Sequence, residues 1–190
     1  MATAKIDPIR GAVSLLGSFT RNLAFYRVSL EPCAKPLLGK THPDASFWCQ
    51  VHSNFVDMLT LEWCKLFGDS NSRYHWQRVI PKGDQSGFEQ TMLRTFSQDR
   101  ERFLDYVISM RRYRDKFVAH LDIGNIMEIP CFDEAEVVAG HYHSHLVRVG
   151  LDQSKLVGLT SGSDDLRHSH GQFEQVARRI YLASRGATSA

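Results

Sequence analysis

Hydrophobic residues recur at spacings of three and four along most of the chain, which is the pattern of amphipathic helices. No run alternates with a period of two for long enough to predict a sheet. Helices are predicted at about residues 7–30, 44–67, 88–96, 98–121, 133–147 and 172–184, with a short helical turn at 76–80. The chain is therefore expected to be all-α, a helical bundle of about five to seven helices.

Proline, glycine and capping residues set the expected boundaries of these helices. Pro32 disfavours continuation of the first helix, Asp44 can cap the second, and Gly68 follows its last apolar turn. Ser97 is the expected cap between the helices at 88–96 and 98–121. Loops or breaks are predicted at residues 33–43, 68–73, 81–87 and 158–171, where proline, glycine or small polar residues interrupt the helical pattern.

Length and composition favour one globular domain. The 190 residues, 43% of them hydrophobic, suffice for a single core and exclude an intrinsically disordered chain. The domain is expected to span residues 1–190, with its core at about 7–150, the C-terminal helix at about 172–184 and a frayed tail at 186–190. The most apolar stretch, residues 47–67, is interrupted by Asp57, Glu62 and Lys65, which excludes a membrane span. No leader-like segment opens the sequence, so a cytoplasmic location is expected.

Cysteines and histidines give little indication of a metal or cofactor site. Four cysteines are spread singly, whereas disulfide frameworks and structural zinc sites need closer or paired ligands. His141 and His145 share a face of the predicted helix at 133–147 and are weak candidates for metal ligands. His143 lies between them, and His168 and His170 follow in the predicted loop. No HExxH, Walker or GxGxxG motif accompanies them, so no cofactor is expected.

Charge is distributed unevenly, although the formal net charge is only +2. Residues 73–120 carry 10 lysines and arginines against 6 acidic residues, whereas residues 121–190 carry 6 against 9. A basic middle segment suits an anionic partner such as nucleic acid, and an ordinary solvated helix face gives the same composition.

One arginine lies on the apolar side of its predicted helix. On a helical wheel of residues 98–121, Arg114 falls within the apolar stripe that includes Phe103, Val107 and Met110. An unpaired charge is costly to bury, so Arg114 must either be paired or line a cavity. If its role is structural, Glu62, which lies among apolar residues earlier in the chain, is the candidate partner.

Residues 112–122 read RYRDKFVAHLD and resemble the signature of HEPN-domain proteins, all-helical bundles found in prokaryotic defence and toxin–antitoxin systems. That signature is an arginine, usually followed by a polar residue, and then a histidine near a helix end. Arg114, Asp115 and His120 match it. Residues 61–76, LEWCKLFGDSNSRYHW, also resemble the second-helix and loop region of the abortive-infection branch of this group. The resemblance covers about residues 15–150.

The resemblance implies metal-independent RNA cleavage, in which a ribose 2′-hydroxyl attacks the neighbouring phosphate. Arg114 would bind the phosphate oxygens, and His120, which titrates near neutrality, would transfer the proton. Asp115 would orient the site. The side chains expected to contact substrate are those of Tyr113, Lys116 and Arg111. An antitoxin or nucleotidyltransferase is a possible protein partner of such an enzyme.

Helix geometry predicts that one copy of the chain does not complete this site. On an ideal α-helix Arg114 and His120 are separated by about 9 Å of rise and about 120° of rotation. Either the helix departs from α geometry near His120, or a second copy supplies the missing group, so a symmetric homodimer is expected, as is general in HEPN-like proteins. The alternative function is a non-catalytic bundle of the same fold that binds a protein partner or a nucleotide, with Arg114 and His120 in structural or ligand-contacting roles.

Overall fold

The computed structural model describes residues 7–119, 128–150 and 166–186, and these residues form eight α-helices without a strand. The all-α prediction is therefore confirmed. The helices are α1 (Pro8–Ser29), α2 (Lys35–Leu38), α3 (Ala45–Trp63), α4 (Trp76–Val79), α5 (Lys82–Arg94), α6 (Arg100–Tyr113), α7 (Asp133–Gly150) and α8 (Leu166–Gly186). Two π-helical segments, Cys64–Gly68 and Arg114–Ala119, directly continue α3 and α6.

Helix α1 is central to the bundle and packs against α3, α7 and α8. The Asp7 side chain accepts a hydrogen bond from the backbone N–H of Ile9 at 2.9 Å and so caps the helix where Pro8 begins it. The apolar stripe of α1 is fully buried and includes Leu16, Phe19 and Leu23. These residues join side chains of α3, α5, α6 and α7 in the main hydrophobic core.

A second, smaller hydrophobic cluster attaches α8 to the rest of the bundle. It consists of buried residues from α1, α2, α8 and the segment between α1 and α2: Val28, Ala34, Leu37, Ala177 and Tyr181. Beside it, the Arg178 guanidinium donates to the Glu31 carboxylate at 2.6 Å and to Glu174 at 3.2 Å. Helix α8 is therefore held by this cluster, by its packing along α1 and by ion pairs of Arg178.

The acidic residues that interrupt α3 are hydrogen-bonded inside the bundle. Glu62 is only 2% exposed and accepts a hydrogen bond from Asn22 of α1 at 3.0 Å. Asp57 accepts one from the Tyr113 hydroxyl at 3.0 Å. Burial raises the pKa of both carboxyls, and these hydrogen bonds oppose the rise. In the described ranges, no helix is both long and apolar enough to cross a membrane.

Two predicted loops contain helix. Residues 35–38 form α2, a single turn with Pro36 near its start. Helix α5 begins at Lys82, inside the predicted break at 81–87. The physical reason at α5 is Gln85, whose side-chain amide donates to the carbonyls of Gln77 at 2.8 Å and Ile80 at 2.9 Å. These side-chain bonds stabilise a turn that the local glycines do not favour.

The cap of α6 is Asp99 and not Ser97, so the prediction for this boundary was wrong. The Asp99 carboxylate accepts hydrogen bonds from the N–H groups of Glu101 at 2.8 Å and Arg102 at 3.2 Å. Ser97 and Gln98 instead have φ angles of 57° and 61°, which turn the chain between α5 and α6. At the second predicted cap, Asp44 precedes α3 as expected, but its side chain makes no capping hydrogen bond.

The C-terminal helix is longer than predicted. It begins at Leu166 and not at about residue 172, so His168 and His170 lie in α8 and not in a loop. The remainder of the predicted loop at 158–165, residues 120–127 and the tail at 187–190 lie outside the described residues.

Candidate functional site

Arg114 lies where α6 changes from α-helical to π-helical hydrogen bonding. The same change occurs in α3 at Cys64, and this segment ends where the Asp69 N–H donates to the Cys64 carbonyl at 2.7 Å. The π segment of α3 packs against α6, and that of α6 packs against α3. Single π turns inside α-helices are frequent at functional sites, so the contact between these two segments marks a candidate site.

Asp69 is the main partner of Arg114. The Nη1 nitrogen of Arg114 lies 2.6 Å from both carboxylate oxygens of Asp69, and its Nε lies 2.8 Å from Oδ1 of Asp115. The Arg114 side chain is only 17% exposed. Burial works against its charge, but hydrogen bonds to Asp115 and Asp69 outweigh that effect and raise the pKa of Arg114. Arg114 is therefore paired, and its partner is Asp69. Glu62, the partner suggested by the sequence, instead accepts a hydrogen bond from Asn22.

A shallow pocket of about 340 Å³ adjoins the ion pair. Its wall is the Gly68–Ser72 turn together with Arg111. Below it lies the buried thiol of Cys64, whose pKa is raised to about 12 by burial, an effect that the charge of Arg114 partly offsets. The pocket wall therefore combines backbone and hydroxyl groups with the Asp69 carboxylate and the Arg111 side chain.

The predicted substrate-contacting residues differ in accessibility. Arg111 is exposed and lines the pocket, Lys116 is half-buried, and the Asp115 side chain is 56% exposed. Tyr113 is only 2% exposed, and its hydroxyl donates to Asp57. The Tyr113 ring therefore packs in the core, whereas a contact with substrate would need it at the surface. His120 lies outside the described residues.

Asp69 is the residue of this site that the sequence did not reveal. It follows Gly68 in a polar loop, where an aspartate is unremarkable, and it lies 45 positions before Arg114. A weak signal was present, since the loop belongs to the second region of family resemblance. Its pairing with Arg114 depends on the packing of α3 against α6, which the local pattern does not encode.

The histidines of α7 do not form a metal site with other described residues. His143 and His145 are buried, at 2% and 7% exposure, and His141 is half-buried. Burial lowers the pKa of His141 and of His145, so both favour the neutral imidazole. Within the described ranges, no three His, Cys, Asp or Glu side chains converge as metal ligands would. The weak candidates His141 and His145 therefore lack a third ligand there.

No protein-family model, curated protein or solved structure matches this chain. Function is therefore inferred from its own residues. Arg114 is held in a fixed orientation by Asp115 and by Asp69, which lines the pocket. A guanidinium is a planar fork suited to recognition of phosphate oxygens.

Proposed function

We propose that this chain is a HEPN-like, metal-independent endoribonuclease of a prokaryotic defence or toxin–antitoxin system, acting in the cytoplasm. The observation that carries the proposal is the position of Arg114. Its guanidinium is held by Asp115 and by Asp69, and Asp69 lines the pocket formed by Gly68–Ser72 and Arg111. A cation oriented in advance costs little reorganisation when a phosphate arrives.

The proposed reaction needs one charged anchor and one group that transfers a proton. Arg114 binds the non-bridging oxygens of the scissile phosphate, with Asp115 exchanging its hydrogen bond for the phosphate because it is exposed. His120 takes the proton of the 2′-hydroxyl, the 2′-oxygen forms its bond to phosphorus, and the bond to the 5′-oxygen breaks. The proton taken by His120 then passes to that leaving oxygen, which gives a 2′,3′-cyclic phosphate and a 5′-hydroxyl end.

Basic side chains near Arg114 fit a polyanionic substrate. Arg111 lines the same pocket and is exposed, and Lys116 follows Arg114 on the π segment. Contacts of this kind with the flanking phosphates supply affinity without sequence preference. Arg111 and Lys116 both belong to the basic segment of residues 73–120.

Apolar side chains on α6 support the proposed homodimer. Leu104 is 48% exposed and Ile108 is 61% exposed, and the two lie one turn apart on the helix that leads to Arg114. A symmetric contact through this face would bury both and bring two copies of α6 together. Such a dimer would place two phosphate-binding arginines near one interface.

A non-catalytic bundle that binds a protein partner or a nucleotide is the second candidate, and one observation favours it. Asp69 and Asp115 together satisfy two nitrogens of Arg114, which is the arrangement of a structural ion pair. In that role Arg114 joins the π segments of α3 and α6 and takes no part in turnover.

Cleavage of total RNA in EDTA distinguishes the two candidates. The wild-type chain is compared with Arg114→Ala, His120→Ala and Arg112→Ala, the last being an exposed arginine of α6 that serves as the matched control. We expect cleavage with 2′,3′-cyclic ends in the wild type and the control, and a loss of at least about a hundredfold in the other two. No cleavage by folded wild-type protein would refute the ribonuclease and favour the binding module. Full activity of His120→Ala would refute the proton-transfer role assigned to His120.

A further inference from the structure

A larger pocket, of about 570 Å³, lies between α1, α7 and α8. Its apolar wall includes Phe19 and Leu23 of α1, Val137 of α7 and Leu166 of α8. Val137 is 44% exposed, so this wall includes apolar surface that the described residues leave uncovered. The volume is typical of sites for small organic molecules, which combine apolar walls with a few polar groups.

One end of the pocket carries a carboxylate that is only partly paired. Oε2 of Glu136 lies 2.8 Å from the Arg27 guanidinium, and the same Arg27 nitrogen lies 2.9 Å from Asp133. The other oxygen of Glu136, Oε1, lies 4.0 Å from the His170 ring, which is beyond hydrogen-bond distance. Glu136 lines the pocket and its side chain is 35% exposed, so Oε1 is available as an acceptor.

Carboxylates outnumber cations in the described ion pairs around this end of the pocket. Two guanidinium groups are shared by four carboxylates, in the pairs Arg27–Asp133, Arg27–Glu136, Arg178–Glu31 and Arg178–Glu174. The His170 ring lies beside two of these carboxylates, so even a protonated His170 would leave one of the four uncompensated. Negative charge that is left over beside an apolar wall favours a cationic ligand.

His170 offers a second acceptor beside Glu136. Its side chain is only 12% exposed, and its buried Nε2 has no hydrogen-bond partner among the described residues. Nδ1 lies 3.7 Å from the Glu174 carboxylate, which favours the tautomer that carries its proton on Nδ1. Nε2 is then an acceptor, and a buried acceptor of this kind calls for a bound donor.

The arginine that lines the pocket lies at its other end. Arg167 adjoins His141, whose pKa is lowered by burial and by the charge of Arg167. His141 follows Glu136 by five residues on α7, which is about 7.5 Å of helical rise. Arg167 already has an interaction partner. The carboxylate end and the arginine end of the pocket are therefore separate.

We propose that the pocket between α1, α7 and α8 binds a small organic cation, a primary ammonium group carried on an apolar body. The ammonium donates to Oε1 of Glu136 and to Nε2 of His170, and the apolar body lies against Leu23 and Val137. An ammonium group has three N–H donors and no acceptor, which matches the two acceptors at this end. Charge-assisted hydrogen bonding fixes the head, and burial of apolar surface holds the body. The pocket beside Arg114 shares no lining residue with this one, so the proposal is independent of the ribonuclease chemistry.

Titration of the full chain, followed through its amide signals in NMR spectra, tests the proposal with three probes of similar shape: tryptamine, the uncharged tryptophol and the anionic indole-3-propionate. We expect tryptamine to bind at least about tenfold more tightly than tryptophol, because hydrogen bonds to charged groups are stronger than those between neutral groups. The largest changes in chemical shift are expected at residues that line the pocket, such as Val137 and Gly140. Failure of tryptamine to bind, or binding of tryptophol or indole-3-propionate that is as tight, would overturn the proposal.

Two variants and a control locate the site. Glu136→Gln is expected to weaken tryptamine binding about tenfold, whereas Glu134→Gln, on the same helix but outside the pocket wall, is expected to leave it unchanged. Gly140 lines the pocket, and a Cβ added there meets no heavy atom within 4 Å. Gly140→Leu is therefore expected to weaken binding by obstruction while helical content, measured by circular dichroism, stays as in the wild type. Unchanged affinity in Glu136→Gln or in Gly140→Leu would place any binding elsewhere and refute the assignment.

Discussion

Arg114 and Asp69 are 45 residues apart in sequence, yet one guanidinium nitrogen lies 2.6 Å from both carboxylate oxygens. The pair joins the two positions at which α3 and α6 leave α-helical geometry. This ion pair therefore connects the π segments of α3 and α6. It also fixes the side chain of Arg114, the arginine that the sequence places in an apolar stripe.

Replacing Asp69 tests the strength of that contact. Asp69→Asn removes the carboxylate from a guanidinium that is only 17% exposed, so we expect the free energy of unfolding to fall by about 1–3 kcal/mol. Asp115→Asn is the matched control, because Asp115 is 56% exposed and its pair with Arg114 contributes less than about 1 kcal/mol. Urea denaturation measures both values, and equal effects of the two variants would contradict the assignment of Asp69 as the main partner.

Acid is expected to destabilise the bundle through His75. This buried ring lies 3.1 Å from the Phe67 carbonyl through Nε2 and accepts the Gln77 N–H through Nδ1, so protonation at Nδ1 breaks the cap of α4. Burial lowers its pKa from 6.5. A lowered pKa means that the stabilisation is complete above pH 6.5 and is lost as the pH falls towards the folded-state value.

The measurement is the free energy of unfolding at pH 7.5 and at pH 5.5 for the wild type and for His75→Asn, which retains a capping acceptor. We expect the variant to lose less stability between the two values. The pKa values of His52, His141 and His145 are also lowered, so these residues make stability depend on pH in both proteins. An identical loss of unfolding free energy in wild type and variant would exclude a contribution of His75 to the acid sensitivity.

Two glycines of α1 are expected to respond oppositely to alanine. Gly17 has open space where a Cβ would lie, so Gly17→Ala should stabilise the protein by about 0.5–1 kcal/mol. At Gly11 the Tyr74 ring occupies that space, and Gly11→Ala should destabilise it by about 1–3 kcal/mol. Thermal unfolding of both variants gives the comparison, and effects of the same sign would contradict a close contact between the Tyr74 ring and Gly11.

The proposed dimer is tested by charge on the exposed face of α6. Ile108→Lys should convert a dimer to a monomer in sedimentation experiments, because Ile108 is 61% exposed in one chain and would be buried between two. Leu182→Lys alters a comparable side chain, 55% exposed, on α8 and should leave the dimer intact. A wild-type chain that sediments as a monomer at micromolar concentration would argue against an interface on α6.

The sequence predicted the long helices well, because burial on one face imposes a periodic pattern on the residues that form it. The predicted ends of α1 and the predicted start of α7 lie within one residue of their positions in the structure. The start of α8 was missed, since a Ser, Asp, Gly and His composition around residues 158–171 resembles a loop whether or not a helix begins within it.

The candidate site was predicted only in part. Arg114 was identified because it is a charged residue within an apolar stripe. A partner was expected because burying an unpaired charge is costly. The identity of that partner depended on tertiary packing, so Asp69 was missed and Glu62 was suggested wrongly. The π segments were also hidden, because a change from i+4 to i+5 hydrogen bonding leaves no mark on composition.

The small hydrophobic cluster beneath α8 has a consequence for cooperativity. Among the described side chains of α8, only Ala177 and Tyr181 are buried, so we expect this helix to open at a lower free energy than the main core and to exchange its amide protons ahead of it. Leu166, Arg167 and His170 line the 570 Å³ pocket, so opening of α8 would dismantle that pocket. Binding in the pocket and local unfolding of α8 are therefore linked. A molecule bound there would slow the exchange of the α8 amide protons, and a change that destabilises α8 would release that molecule.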